Sequence, residues 1–127
     1  MDYKELLNNA KEASKFAYAP YSKFAVGACV LTDNGKTFTG CNFENSSFGM
    51  TICAERNAIG SMITAGERKI KALAIYSPNI KNCTPCGACR QVITEFKSEN
   101  GVDVVVEFDD DIKIYKIEEL LPETFGL

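Results

Sequence analysis

A chain of 127 residues, 46% of them hydrophobic, has the size of one domain with a substantial core. It carries six cysteines and no histidine, which excludes an imidazole base, an imidazole metal ligand and any Ser-His or Cys-His nucleophile pair. Its net charge of −3 gives no bulk field to attract nucleic acid, and no apolar stretch is long enough to span a bilayer.

In chain order, Asp2 is placed to cap a first helix, with Glu5 at capping-box spacing. Leu6, Leu7, Ala10, Ala13, Phe16 and Ala17 share one face of it, and Pro20 marks the end. Residues 24–32 read as a strand, Asp33-Asn34-Gly35 as a hairpin turn, and 36–42 as the partner strand. A polar loop, Glu44-Asn45-Ser46-Ser47, precedes a helix near 52–65 that Gly66 closes. Residues 70–76 form an apolar run of the kind found in buried strands. A loop then ends at Thr84-Pro85, with Thr84 as cap and Pro85 in the first turn of a helix over 86–97. Strands at 102–108 and 112–117 meet at Asp109-Asp110-Asp111, and 118–121 form a helical turn. The order α-β-β-α-β-α-β-β-α, a hairpin followed by two crossovers, implies an α/β fold with one mixed sheet and helices on its faces, a single domain over 1–127. The charged start, Met1-Asp2-Tyr3-Lys4-Glu5, lacks the apolar core of a secretion signal, so a cytoplasmic location with reduced thiols is expected.

The chemistry concentrates in the cysteines. Cys86 and Cys89, three apart at a helix start, share one face and can reach one ion. Cys53 opens the other crossover helix in the same way, and both helices start at the same edge of the sheet. Helix N-termini favour thiolates, and three of them leave a tetrahedral zinc with one open position. Glu55, two residues after Cys53, lies close to such a metal without having to bind it, and its distance from Thr51 does not suit a capping box. Other readings of the pattern stay open at this point: a redox pair, a structural half-site, two small buried residues, or a closed four-cysteine site that takes in Cys83. Cys29 and Cys41 alternate into strands as core residues.

Thr51-Ile52-Cys53-Ala54-Glu55-Arg56 and Thr84-Pro85-Cys86-Gly87-Ala88-Cys89-Arg90-Gln91 resemble the paired signature of the zinc-dependent cytidine deaminases. Tyr18-Ala19-Pro20-Tyr21-Ser22-Lys23-Phe24, Gly27-Ala28, Gly40-Cys41-Asn42-Phe43-Glu44-Asn45 and Glu119-Leu120-Leu121-Pro122 extend the similarity to the small nucleoside-specific type. The resemblance implies a three-layer α-β-α sandwich around a five-stranded sheet. It also implies hydrolysis of cytidine, and of 2'-deoxycytidine, to uridine and ammonia in pyrimidine salvage. Cys53, Cys86 and Cys89 would hold one zinc per subunit, whose hydroxide attacks carbon 4 of the ring while Glu55 shuttles protons.

Three thiolates outweigh the charge of the zinc, which gives Arg56 a reason to hydrogen-bond one of them and draw off negative charge. Asn42 and Glu44, on one side of Phe43, would hold the ribose; Phe24 would stack on the base; Ala54 would offer backbone hydrogen bonds. Similar enzymes are homotetramers whose C-terminal aromatic enters a neighbour's site, a role that maps to Phe125. Phe43 and Phe48 depart from the family pattern, where an aliphatic residue and a tyrosine are usual. The rivals are a deaminase of another aminopyrimidine, such as the antibiotic blasticidin S, and a non-catalytic zinc module with four protein ligands. A polynucleotide substrate fits poorly with an acidic chain that lacks a basic, aromatic-rich surface.

Overall fold

A computed structural model describes all of residues 1–127. Five strands form one mixed sheet in the order β2-β1-β3-β4-β5: β1 (Gly27–Thr32), β2 (Thr37–Cys41), β3 (Ile70–Tyr76), β4 (Asp103–Phe108) and β5 (Asp111–Lys116). Only β3 and β4 pair in parallel, through the crossover that contains α3 (Gly87–Glu95); the other neighbours are antiparallel. α1 (Tyr3–Ser14) covers one face of the sheet, where Leu6, Leu7 and Ala10 pack on Cys29, Leu31, Ala72, Ala74 and Val105. α2 (Ala54–Thr64) and α3 cover the other, where Ala58, Met62 and Ile93 meet Val30, Leu73, Val104 and Val106. A four-residue helix, α4 (Ile117–Leu120), closes this layer through the buried Ile117. The period-two alternation of strand side chains feeds both cores at once, giving the three-layer sandwich.

Two departures from the expected elements have clear causes. The first strand begins at Gly27 rather than Phe24 because side chains replace its ladder. The Asn42 amide donates to the Phe24 carbonyl at 2.8 Å and accepts from the Val26 N–H at 2.9 Å, and Asn79 Oδ1 accepts from the Ala25 N–H at 2.8 Å. Lys23, with φ of 61°, turns the chain just before this segment. The first helix stops at Ser14, so Phe16 is not on its buried face and stands 80% exposed. Asp2 does cap it, accepting from the Lys4 N–H at 2.9 Å. A short 3-10 turn, Phe48–Met50, lies in the segment read as plain loop.

Gly40 sets the distance between β2 and α2. A Cβ there would lie 2.4 Å from the Ala58 nitrogen and 2.6 Å from the Ala54 carbonyl oxygen. Only glycine lets the helix backbone come this close, and the start of α2 is where Cys53 and Glu55 sit. Asn57 adds a polar tie, donating to the Cys41 carbonyl at 3.0 Å. Cys29 is fully buried, as expected of a core residue, whereas Cys41 at the end of β2 is only half-buried.

Candidate functional site

Phe43 organises the approach to the site. It exchanges two backbone hydrogen bonds with Ile52, at 3.0 and 3.1 Å, while Tyr18 pairs with its neighbours Asn42 and Glu44 at 3.0 and 2.9 Å. These short pairings hold Asn42 and Glu44 beside the residue that precedes Cys53. Cys53 is the N-cap of α2 and Cys86 the N-cap of α3, and neither side chain bonds its own helix end. Thr84 is therefore not the cap of α3, and Pro85 precedes the cap rather than sitting in the first turn. Both sulfurs are left at positive helix ends. Cys89, fully buried one turn into α3, completes a cluster whose three Sγ atoms lie within 4.8 Å of one another. Cys83 is also buried but stands outside that group.

The donor set fits a soft divalent cation. Cys53 and Cys86 Sγ are 3.9 Å apart, and two sulfurs on one tetrahedral zinc are separated by about 3.8 Å. The surroundings fit as well. Arg56 Nη2 donates to Cys53 Sγ at 3.5 Å and to the Thr51 carbonyl at 3.4 Å, while Arg56 Nε and Thr51 Oγ1 are buried with no partner. The Cys53 thiol is lowered to about 5, chiefly by a hydrogen bond from Cys89 and further by Arg56 and Cys86, against the opposing effect of burial. Cys89 is driven up in turn, because it donates to Cys53 and because it is buried. Burial pushes the Cys83 thiol to about 12 as well, and it is its place outside the three-sulfur cluster that separates it from the donor set.

A cavity of ≈ 330 Å³ opens beside the sulfurs. Its lining joins Thr51, Cys53, Ala54, Glu55, Cys83 and Cys86 with Ser22, Phe24, Val26, Asn42 and Glu44. Glu55 is 3% exposed, and burial raises its carboxyl to about 7. The Glu44 carboxylate is oriented in detail: Oε1 accepts from the Tyr21 and Ser22 N–H groups at 3.0 and 3.1 Å, and Oε2 accepts from the Ser22 hydroxyl. That hydroxyl is the main reason the Glu44 carboxyl lies below the usual range. Ser22 and Thr51 are cavity residues that inspection of the sequence passed over. Ser22 stood inside the Tyr21-Ser22-Lys23-Phe24 segment, but nothing in its spacing linked it to Glu44. Phe125 is 71% exposed and does not line this cavity; its carbonyl accepts from Gln91 Nε2 at 3.1 Å. A larger cleft of ≈ 460 Å³, around Lys69, Lys71, Asp103 and Lys116, has no hydrophobic lining and contains none of these residues.

Comparison with known proteins agrees with this arrangement. Residues 1–105 match the model of the "Cytidine and deoxycytidylate deaminase zinc-binding region". A cytidine deaminase of Sporosarcina psychrophila is 42% identical over 126 residues, covering 99% of this chain and 93% of the relative. The crystal structure of cytidine deaminase from Burkholderia pseudomallei superposes with a TM-score of 0.90 at 41% identity, covering 98% of this chain and all of that one. The enzyme from Mycobacterium tuberculosis superposes with a TM-score of 0.86 at 38% identity, covering 100% and 99% of the two chains.

Proposed function

The chain belongs to the zinc-binding family of cytidine and deoxycytidylate deaminases, and from that premise we propose that it hydrolyses cytidine to uridine and ammonia, accepts 2'-deoxycytidine, and serves pyrimidine salvage. The observation that carries the reading is the buried carboxyl of Glu55, held near neutrality in a cavity that it shares with two members of the three-thiol cluster. Zinc held by Cys53, Cys86 and Cys89 would supply Lewis acidity that brings the pKa of a bound water towards neutral. Glu55 does the proton work. A carboxyl raised by burial to about 7 binds a proton more readily than an exposed one, which suits a group that must both take and return a proton. In this reading Glu55 accepts the proton of the attacking water and passes it to the ring nitrogen. It then takes the proton of the new hydroxyl on carbon 4 and delivers it to the departing amino group, which leaves as ammonia as the carbonyl forms. Arg56 steadies the cluster by donating to the Cys53 sulfur.

Glu44 and Asn42, which line the same cavity, favour a nucleoside over a free base. The Glu44 carboxylate only accepts hydrogen bonds, and after three of them Oε2 retains one lone pair that a ribose hydroxyl can fill. Asn42 keeps one amide hydrogen and one lone pair after its bonds to the Phe24–Val26 backbone. Phe24 and Ala54 both line the cavity, where Phe24 would stack on the base and Ala54 would offer backbone groups to its edge.

Exposed Phe16, Tyr18, Tyr21, Phe43, Phe48 and Met50 supply apolar surface for the subunit contacts of a homotetramer. In that assembly Phe125 would enter a neighbour's cavity. The test is a direct assay for loss of cytidine absorbance and formation of uridine and ammonia. We expect conversion of both cytidine and 2'-deoxycytidine. A protein that leaves both untouched while turning over blasticidin S would contradict the reading.

A further inference from the structure

Arg90, one turn into α3, uses its whole guanidinium on neutral acceptors. Nε donates to the Pro85 carbonyl at 2.7 Å, Nη1 to the Leu120 carbonyl at 2.8 Å and Nη2 to Thr84 Oγ1 at 3.3 Å. Unlike Arg56, it donates to no sulfur. Its backbone N–H closes the first turn of α3 on the Cys86 carbonyl at 3.0 Å. The segment that leads into Cys86 is packed through the buried Cys83 and Pro85, but few hydrogen bonds fix its backbone. Further back, Asn82 is tied to β4 and β5, donating from its N–H to the Glu107 carbonyl and accepting from the Tyr115 hydroxyl. At Thr84 and Pro85 the hydrogen bonds recorded both come from Arg90. On the far side, Leu120 ends α4, which is fixed to the core by the buried Ile117 and capped at its own start by the Glu119 carboxylate accepting from the Lys116 N–H at 2.9 Å.

We propose that Arg90 is a positioning residue for Cys86: it pins the Thr84–Pro85 segment to the C-terminal helix and so ties retention of the metal to the docking of α4. The argument rests on reading Cys86 as a zinc ligand. Its physical basis is that Cys86 is an exposed N-cap whose sulfur is only as well placed as the backbone before it. Groups that orient metal ligands from behind commonly change metal affinity by roughly 10–100-fold when removed. Arginine suits the task because a planar fork with five donors can serve three acceptors at once, which lysine cannot.

The experiment measures how fast the zinc-loaded, full-length protein gives up its metal to a colorimetric chelator. Zinc content of the unaltered protein is determined first, and a chain that binds no zinc overturns both the ligand reading and the proposal. With zinc present, Arg90→Gln is expected to release it about tenfold faster, and Arg90→Lys at a rate between the two. Ile117→Ala, which withdraws the anchor of α4, is expected to speed release as well. The double variant should be no faster than the faster single, because both break one connection. Leu7→Ala, in the α1 layer on the opposite face of the sheet, lowers thermal stability without touching this connection and should release zinc at the original rate. Release from Arg90→Gln at the original rate would overturn the role of Arg90 alone. So would independent, multiplying effects of Arg90→Gln and Ile117→Ala, or an equal acceleration in Leu7→Ala at matched loss of stability.

Discussion

Arg56 stands three residues after Cys53 and Arg90 directly follows Cys89, yet they do different work. Arg56 donates directly to the Cys53 sulfur, and the thiol is held at about 5 partly on that account. Removing it leaves three thiolates with less compensation for their charge. Arg56→Gln should therefore weaken zinc binding by about tenfold, measured by equilibrium competition with a chelator, whereas an unchanged affinity would show that the contact carries no electrostatic weight. Glu55 shows how much the residue scale depends on surroundings. A carboxyl two places from a ligand is unremarkable in a sequence; enclosure at 3% exposure raises it to about 7. The sulfur triad was legible from spacing because Cys86 and Cys89 share a helix face and both helices start at one sheet edge. The roles of Ser22 and Thr51 were not legible, since they arise from loops that meet only in the folded chain.

At the scale of elements, α1 is docked by apolar packing and by polar links to β4, among them the Tyr3 hydroxyl donating to Asp103 Oδ2 at 2.8 Å and Lys11 Nζ donating to Glu107 Oε2 at 2.5 Å. Burial, with the hydrogen bond and charge of Asp103 adding to it, raises Tyr3 to about 12 from 10.0. The folded state then keeps a proton that the unfolded chain loses above pH 10. The stabilisation is complete below pH 10 and falls away as pH rises through 12. Tyr3 is only partly buried, so the link is worth about 1 kcal/mol. Tyr3→Phe should cost that amount in denaturant unfolding at pH 8, and the gap should close by pH 12. A constant gap across this range would mean that packing alone is responsible.

Most elements could be read from the chain. The apolar run of β3 spans Ile70–Tyr76 in both readings, and Asp33-Asn34-Gly35 forms the expected turn, with Gly35 at φ of 80°. What escaped were Asn42 and Asn79, side chains from elsewhere that take the place of a ladder at 24–26, and Cys86 rather than Thr84 at the N-cap of α3. Phe16 was misplaced because α1 ends three residues before the hydrophobic period does.

Across the whole molecule, the two faces of the sheet divide the labour: α1 builds stability on one, while α2 and α3 bring their N-termini together on the other. Around the site the chain leaves large apolar side chains in solvent, Phe48 at 68% and Met50 at 62% among them. If these mediate assembly, Phe48→Asp should shift a tetramer to smaller species in sedimentation and raise the KM for cytidine as Phe125 leaves its neighbour. A unaltered mass with an unaltered KM would count against the assembly. The central claim is that one zinc site and one buried carboxyl carry out the deamination, and it is tested by comparing unaltered protein with Glu55→Ala for both zinc content and cytidine turnover. The account predicts one zinc per chain in each, with kcat in the variant lower by at least about a hundredfold. Full turnover in Glu55→Ala, or zinc-loaded unaltered protein that leaves cytidine intact, would contradict it.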